Sequence, residues 1–380
     1  MRVGLVVTGG VDRSGRERVI PALLSLIERL ARQHEVHVFV LHHEPLPSTY
    51  PLLGATVHDL SRAPVMPGLG RPLQRYRLRR AIAAMGGVDV LHGYWGLPAS
   101  VAVRVAQQLK IPSIATADSG EWVALPGIKY GLQRHWRDRR AVAEAMRNAT
   151  VVTVCTRFMQ QLAAAHGVTA RIIPIGVPPH AGPVEYVGPS FSSALLRPAE
   201  GPPWRLLNVA SLNPVKDHDT LLRAMAALVA RVPDVHLDIV GVDTMHGQAQ
   251  RLAASLGISA HVTFHGFLTS DQLVPLWSRA HLHVVSSRHE AAGVVSLEAA
   301  MASVPTVGTR VGHIADGEPH RAVAVPVRDA TALASAIEAL IDDPIRRSAL
   351  ASTARTWALA HDSDSTASIF DQLYRDVTNA

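Results

Sequence analysis

Cysteine is almost absent: Cys155 stands alone in 380 residues. No intrachain disulfide can form, and a reducing, cytoplasmic setting is expected. Cys155 itself reads as a buried structural residue. Aromatic residues make up only 5% of the chain. No apolar run approaches the ~20 residues that a membrane-spanning helix needs. The opening MRVGLVVTGG reads as a core strand, with no charged leader and cleavage site, so no signal peptide is expected. Lysine is scarce as well, with only Lys110, Lys129 and Lys216 against 34 arginines. The glycine-rich P-loop signature is missing, which excludes ATP hydrolysis of the Walker type. No nucleic-acid-binding module is recognisable, and nucleic acid is not an expected partner.

What the chain does have is Ala, Val and Leu in short runs. RVGLVV, EVHVFVL, VDVLHGY, PSIATA and ATVVTVC read as strands, separated by stretches of helical spacing such as RERVIPALLSLIERLARQ. That alternation implies an α/β protein with parallel sheets covered by helices on both faces. Residues 178–204 carry many prolines and glycines without a period and read as an interdomain linker. The expected organisation is a first doubly wound domain over 1–177, a second over 205–360, and a terminal helix over 361–380. Charge divides along the same line. Residues 1–180 hold 22 basic and 11 acidic side chains, a net +11, and the remainder hold 15 and 20, a net −5. The basic segments RPLQRYRLRR (71–80) and KYGLQRHWRDRR (129–140) interleave arginine with Tyr and Trp. They read either as a solvated face or as a surface for an anionic membrane or a phosphorylated acceptor.

Three loops carry candidate chemistry. VVSSRHEAAGVVSLEAAMA runs strand, loop, helix, with Glu290 and Glu298 either side of Gly293. A glycine there lets backbone approach a ligand, and a helix start attracts phosphate. Carboxylates beside a phosphate site suit the hydroxyls of a nucleotide sugar. NVASLNPVKDHDTLL presents Lys216 after a strand, with Asp217 or Asp219 able to cap the next helix. A cation there would neutralise a departing phosphate. Gly9 and Gly10 follow the first strand, in either a structural turn or a close contact with ligand. His281 and His283 alternate along a strand and read as core residues rather than a zinc site. Asp362-Ser-Asp364 has the form of a metal-binding DxD but follows a helix and reads as a cap.

These motifs, in this order and over almost the whole chain, resemble the retaining glycosyltransferases of family 4. EAAGVVSLE matches the family's pair of glutamates and NVASLNPVKDHDTLLRA its lysine loop. The resemblance implies the GT-B architecture, two Rossmann-like domains facing across a cleft. It implies that Lys216 contacts the donor diphosphate, Glu298 the ribose hydroxyls and Glu290 the sugar hydroxyls. The amides of Val294 and Val295 would meet phosphate, and Phe267 and Leu268 would receive the base through main chain. His92 matches a histidine common in the first domain and is, by that resemblance, a candidate acceptor-site residue. Departures from the pattern are Ser211, where an arginine often stands in the donor loop, Gly312–His313 for a double glycine, and Ser303–Val304 where a glycine before Pro305 is usual. Asp118 stands where many members carry a histidine. Asp118 could assist acceptor deprotonation or bind an amine or hydroxyl, and Asp118 or Glu121 is a candidate acceptor-site residue, with loop-structuring as the alternative.

The implied function is transfer of a hexosyl group, with retention, from a UDP- or GDP-sugar to a hydroxyl acceptor on a polysaccharide, lipid or small glycoside. No metal or other cofactor is expected. Retaining members are thought to need no side-chain nucleophile. Alternatives are a same-fold hydrolase or epimerase of nucleotide sugars, or a catalytically weak partner subunit. The setting implied is cytoplasmic, with peripheral contact at the inner face of the membrane if the basic first domain meets lipid.

Overall fold

A computed structural model describes residues 1–15, 18–41, 48–60, 70–178 and 200–379. The chain divides into two compact units, Met1–Ile175 with Ser363–Ala380, and Gly176–Asp362. Most of the stretch expected as a linker, 179–199, lies outside the described residues, as does Arg16 at the expected start of the first helix.

The first unit opens with β1 (Arg2–Val7), whose last five residues are buried. Then come α1 (Pro21–Ala31), β2 (Glu35–Val40), β3 (Ser48–Leu52), β4 (Ala55–Asp59), α2 (Gly70–Ala84), β5 (Val90–Tyr94), α3 (Gly96–Leu109), β6 (Ser113–Thr116), α4 (Trp136–Asn148), β7 (Val151–Val154), α5 (Arg157–Ala165) and β8 (Arg171–Ile172). Pro21 sits at the start of α1, where its missing N–H is harmless. Leu23, Leu24, Leu26, Ile27 and Leu30 of α1 are all buried. At about 1.5–3 kcal/mol per fully buried side chain, that face alone outweighs any propensity term. The strand order is β3-β4-β2-β1-β5-β6-β7-β8, parallel except for the antiparallel β3–β4 hairpin. The chain's winding direction reverses between β1 and β5, which is where a doubly wound sheet opens a crevice at its carboxyl edge.

The second unit contains β9 (Trp204–Val209), α6 (His218–Val229), β10 (Val235–Val240), α7 (Gln248–Ser255), β11 (Val262–Gly266), α8 (Ser270–Arg279), β12 (Leu282–Val285), α9 (Val295–Met301), β13 (Thr306–Thr309), α10 (Gly312–Gly317), β14 (Ala322–Val325), α11 (Ala330–Asp342) and α12 (Pro344–Ala360). Its sheet is wholly parallel, in the order β11-β10-β9-β12-β13-β14. Here the switch point lies between β9 and β12. Leu206, Leu237, Ile239, Leu282, Val284 and Val307 on neighbouring strands are buried in one core with α6 and α11. The final helix, α13 (Ser363–Thr378), belongs to the first unit. Its Phe370, Leu373 and Tyr374 are buried with the α1 leucines.

Candidate active site

The loops leaving β9 and β12 are the two that flank the switch point of the second unit, so topology alone brings Lys216 and Glu290 together. Lys216 Nζ lies 2.5 Å from Glu290 Oε1. The Ser287 hydroxyl donates to the same carboxylate oxygen at 2.6 Å. Both side chains line a cavity of about 220 Å³, with Gly293, Val294, Val295 and Ser296 forming another wall. Gly293 has φ +75°, a conformation that costs a side-chain-bearing residue energy, and it turns the chain into α9. No side chain caps α9. The Ser296 and Leu297 N–H groups donate to Gly293 O and Val294 O, each at 2.8 Å, which leaves the amides of Val294 and Val295 at the cavity wall as the donors for solvent or a ligand. Charge, donors and an acceptor therefore converge on one cavity, as a diphosphate joined to a polyol requires.

The lysine loop is held by more than its sequence motif. Asp217 adopts the left-handed region, with φ +51°. It stands at the N-terminal boundary of α6 but does not cap it through its side chain. Its carboxylate instead accepts from the Thr220 hydroxyl at 2.8 Å and from the Arg288 guanidinium at 2.9 Å. Asp217 as a backbone cap is thus corrected: its carboxylate ties the two loops together. The Arg288 backbone N–H donates to Val215 O, and the Ser286 hydroxyl donates to Lys216 O, each at 2.8 Å. Asn208 stitches the open switch point by donating to Val284 O at 2.8 Å, while its Oδ1 lies 3.2 Å from His218 Nε2. Sequence reasoning missed Asn208, Ser287 and Arg288. The available signals were a polar residue inside the apolar run LLNVA and a serine pair just before Glu290.

Other expected donor residues do not line this cavity. Glu298 sits in the first turn of α9, partly exposed, with its carboxyl pushed up to about 7 by burial. Ser211 is exposed, two residues after β9 ends. Phe267 is 67% exposed, and Leu268 packs against the cluster around Trp277. His313, which replaces the second glycine, is buried with its ring edge-on to Trp357, and burial pushes it down to about 3. His281 and His283 are buried in the core as expected.

In the first unit the expected residues separate into core and crevice. His92 is fully buried, its Nδ1 2.7 Å from Tyr374 Oη and its Nε2 2.6 Å from Thr116 Oγ1. Burial drives it down to about 3, so it is neutral. That corrects its place among acceptor contacts, since both nitrogens are satisfied inside the core. Glu121 is also fully buried. Its two oxygens accept the N–H groups of Gly96, at 2.9 Å, and Ser119, at 2.7 Å. It therefore structures the loop and the start of α3. Asp118, half-buried at the end of β6, accepts the Cys155 N–H at 2.7 Å, and burial pushes it up to about 7. Cys155 is fully buried. At Gly10, φ is +84° and an added Cβ would fall 2.7 Å from the Ile20 side chain, so packing already demands glycine there. Gly9 precedes it, half-buried. Asp364 pairs with Arg29 at 2.7 Å.

Comparison with known proteins follows the same division of the chain. Residues 197–357 match the family described as glycosyl transferases group 1, and residues 19–178 match the glycosyl transferase 4-like domain. A GDP-mannose-dependent alpha-(1-6)-phosphatidylinositol monomannoside mannosyltransferase of Mycolicibacterium smegmatis is 27% identical over 89% of both chains. D-inositol 3-phosphate glycosyltransferase of Rhodococcus jostii is 29% identical over 75% of this chain, and the match spans 62% of that protein. Among solved structures, sucrose-phosphate synthase of Thermosynechococcus elongatus superposes with a TM-score of 0.79 at 21% identity, covering 99% of this chain and 98% of that one. Anabaena HepE in complex with UDP-glucose gives 0.74 at 15% identity over 99% and 100%. With both family domains present in order, and the fold shared along its length, the chain belongs to the group 1, family 4 glycosyltransferases and has their GT-B fold.

Proposed function

We propose that this glycosyltransferase moves a hexosyl group from a UDP- or GDP-sugar to a hydroxyl acceptor, with retention and without a metal ion. The observation that carries the reading is the Lys216–Glu290 pair inside the cavity walled by Gly293, Val294 and Val295. In it the lysine neutralises the departing diphosphate, the start of α9 receives phosphate oxygens, and Glu290 holds sugar hydroxyls. Glu298, one helical turn on, is the ribose ligand. In this proposal Lys216 supplies the positive charge that the departing diphosphate needs, and no divalent cation takes part. Retention follows the family pattern, in which departing phosphate and incoming hydroxyl meet on one face of the sugar. The M. smegmatis relative's GDP-mannose donor supports a GDP-sugar as the first donor to try. Calorimetric titration with UDP and GDP tests the site. Binding should weaken at least tenfold in Lys216→Ala and in Glu298→Ala, and wild-type affinity in both variants would remove the assignment.

The first unit is the acceptor unit in this proposal, and its basic face is a peripheral membrane surface. Helices α2 and α4 present arginines around the exposed Tyr76 and Trp136, 61% and 62% accessible. Among the described residues no helix is long and apolar enough to cross a membrane. Sedimentation with anionic vesicles should show binding at low salt that is lost at high salt. Equal pelleting with neutral vesicles, or none with either, would exclude the membrane surface.

A further inference from the structure

The first unit contains a pocket of about 410 Å³ where β1, β5 and β6 end. Trp95, Leu97 and Pro98 form an apolar wall, and Lys129, Arg134 and His135 face it. The polar wall is fixed by backbone. Leu125 and Tyr130 exchange two main-chain hydrogen bonds, of 2.9 and 3.2 Å, and Leu132 N–H donates to Gly120 O at 2.8 Å. Gln133 Nε2 donates to Glu121 O at 2.6 Å, and the Arg134 guanidinium donates to Lys129 O.

Two carboxylates also border the pocket, and neither neutralises these cations. Asp138 is ion-paired with Arg71 of α2. Glu121 is fully buried and takes the N–H groups of Gly96 and Ser119. Among the described residues no carboxylate pairs with Lys129 or Arg134. Glu121 also takes the Gly96 N–H at the start of α3, so that donor is not open to an incoming anion. Lys129 is one of only three lysines in the chain, and it is exposed.

We infer that this pocket binds an acceptor bearing a phosphate group, with the phosphate between Lys129 and Arg134 and the carbon skeleton against Trp95, Leu97 and Pro98. The inference rests on the first unit being the acceptor unit. Two cations without carboxylate partners about a rigid turn suit a phosphate's several acceptor oxygens, with the Arg134 guanidinium already oriented by Lys129 O. A neutral sugar would leave both cations without a counter-charge and gain only the apolar wall.

Calorimetry on the full chain tests this with three probes. Glycerol 3-phosphate represents a free phosphorylated acceptor, monomeric short-chain phosphatidylglycerol a lipid headgroup, and glycerol the neutral control. At least one phosphorylated probe should bind well above glycerol, and whichever is tighter identifies the source of the phosphate. Lys129→Glu should weaken that binding about tenfold or more and Arg134→Gln should weaken it less. The inference is overturned if neither phosphorylated probe exceeds glycerol, or if Lys129→Glu binds them as wild type does. UDP and GDP titrations on the same samples separate the two readings. Loss of nucleotide binding in the wild type would sink the transferase proposal, whereas intact nucleotide binding with no response to phosphate would remove only this pocket's assignment.

Discussion

The two units are built on the same plan, a parallel sheet whose winding reverses beside its central strand, yet their crevices treat charge in opposite ways. In the second unit the one lysine at the crevice is already matched: Glu290 lies 2.5 Å away, and Ser287 completes the carboxylate's coordination. In the first unit Lys129 and Arg134 stand without carboxylate partners among the described residues, while Glu121 and Asp138 are engaged elsewhere. In the proposed function, a self-neutralised crevice binds its ligand by exchange, releasing the lysine to phosphate and the glutamate to hydroxyls together. An unneutralised one attracts an anion from a distance and holds it by charge. The contrast teaches that one topology can supply two different recognition logics, depending on whether the cation comes with its own counter-charge.

Breaking the matched pair should have the largest effect. Glu290→Gln keeps the side chain's size and removes its charge, which frees Lys216 for phosphate. Transfer should fall by about 10²-fold or more, because the sugar loses a charged hydroxyl acceptor in the transition state. UDP or GDP alone should nevertheless bind several-fold tighter than to wild type, since no ion pair has to open first. Steady-state kinetics with nucleotide product inhibition reads both quantities. If product inhibition weakens along with turnover, the pair is not a competitor for phosphate and the exchange picture fails.

A second contrast lies in acidity, and here the units agree. Burial pushes Glu298 in the second unit and Asp118 in the first up to about 7. If the Glu298 carboxylate accepts ribose hydroxyls, donor KM should rise as pH falls through 7, and Glu298→Gln should show a weak, flat profile. Stability runs the other way. The folded-state pKa lies above the ordinary carboxylate value, so the folded chain holds the proton more tightly. The resulting stabilisation is complete below about pH 4 and is lost as pH rises to about 7. Glu298→Gln and Asp118→Asn should therefore raise Tm by about 2–4 °C at pH 8 and leave it unchanged near pH 4. A variant that gains as much at pH 4 as at pH 8 would show that burial is not the cause.

Much of this was legible in the sequence because chemistry-bearing residues were rare where they mattered. Lys216 is one of three lysines, and Glu290 and Gly293 sit at an unmistakable strand-to-helix turn. Runs such as EVHVFV predicted parallel strands because both faces are covered. The β3–β4 hairpin escaped notice, since Pro51 disguises a short edge strand. Its signal was the Leu53–Gly54 turn, where both residues have positive φ. His92 misled for a different reason. A histidine in VDVLHGY looks like a ligand, but its partner Tyr374 is 282 residues away in α13, and no local pattern announces it. Glu298 lies eight residues from Glu290, and spacing alone could not say that only one of them lines the cavity.

The smallest expected effect concerns Arg288, which no motif marks. It touches neither cavity wall directly, but its guanidinium and the Thr220 hydroxyl together grip Asp217 in a left-handed conformation, one residue from Lys216. Asp217 is nearly buried, so releasing it from its cation leaves a charge that the loop accommodates by shifting. Arg288→Ala should therefore displace Lys216 without removing it, weakening UDP or GDP binding about three- to tenfold. A purely structural loss would add to the effect of Lys216→Ala. A positioning role would not: once Lys216 is alanine, the further change should cost little, and Arg288→Lys should restore part of the affinity because it keeps a charge beside Asp217. Additivity in the double-mutant cycle would place Arg288 outside the mechanism. It would also leave the matched pair of the second unit to be held by Ser286, Ser287 and the backbone.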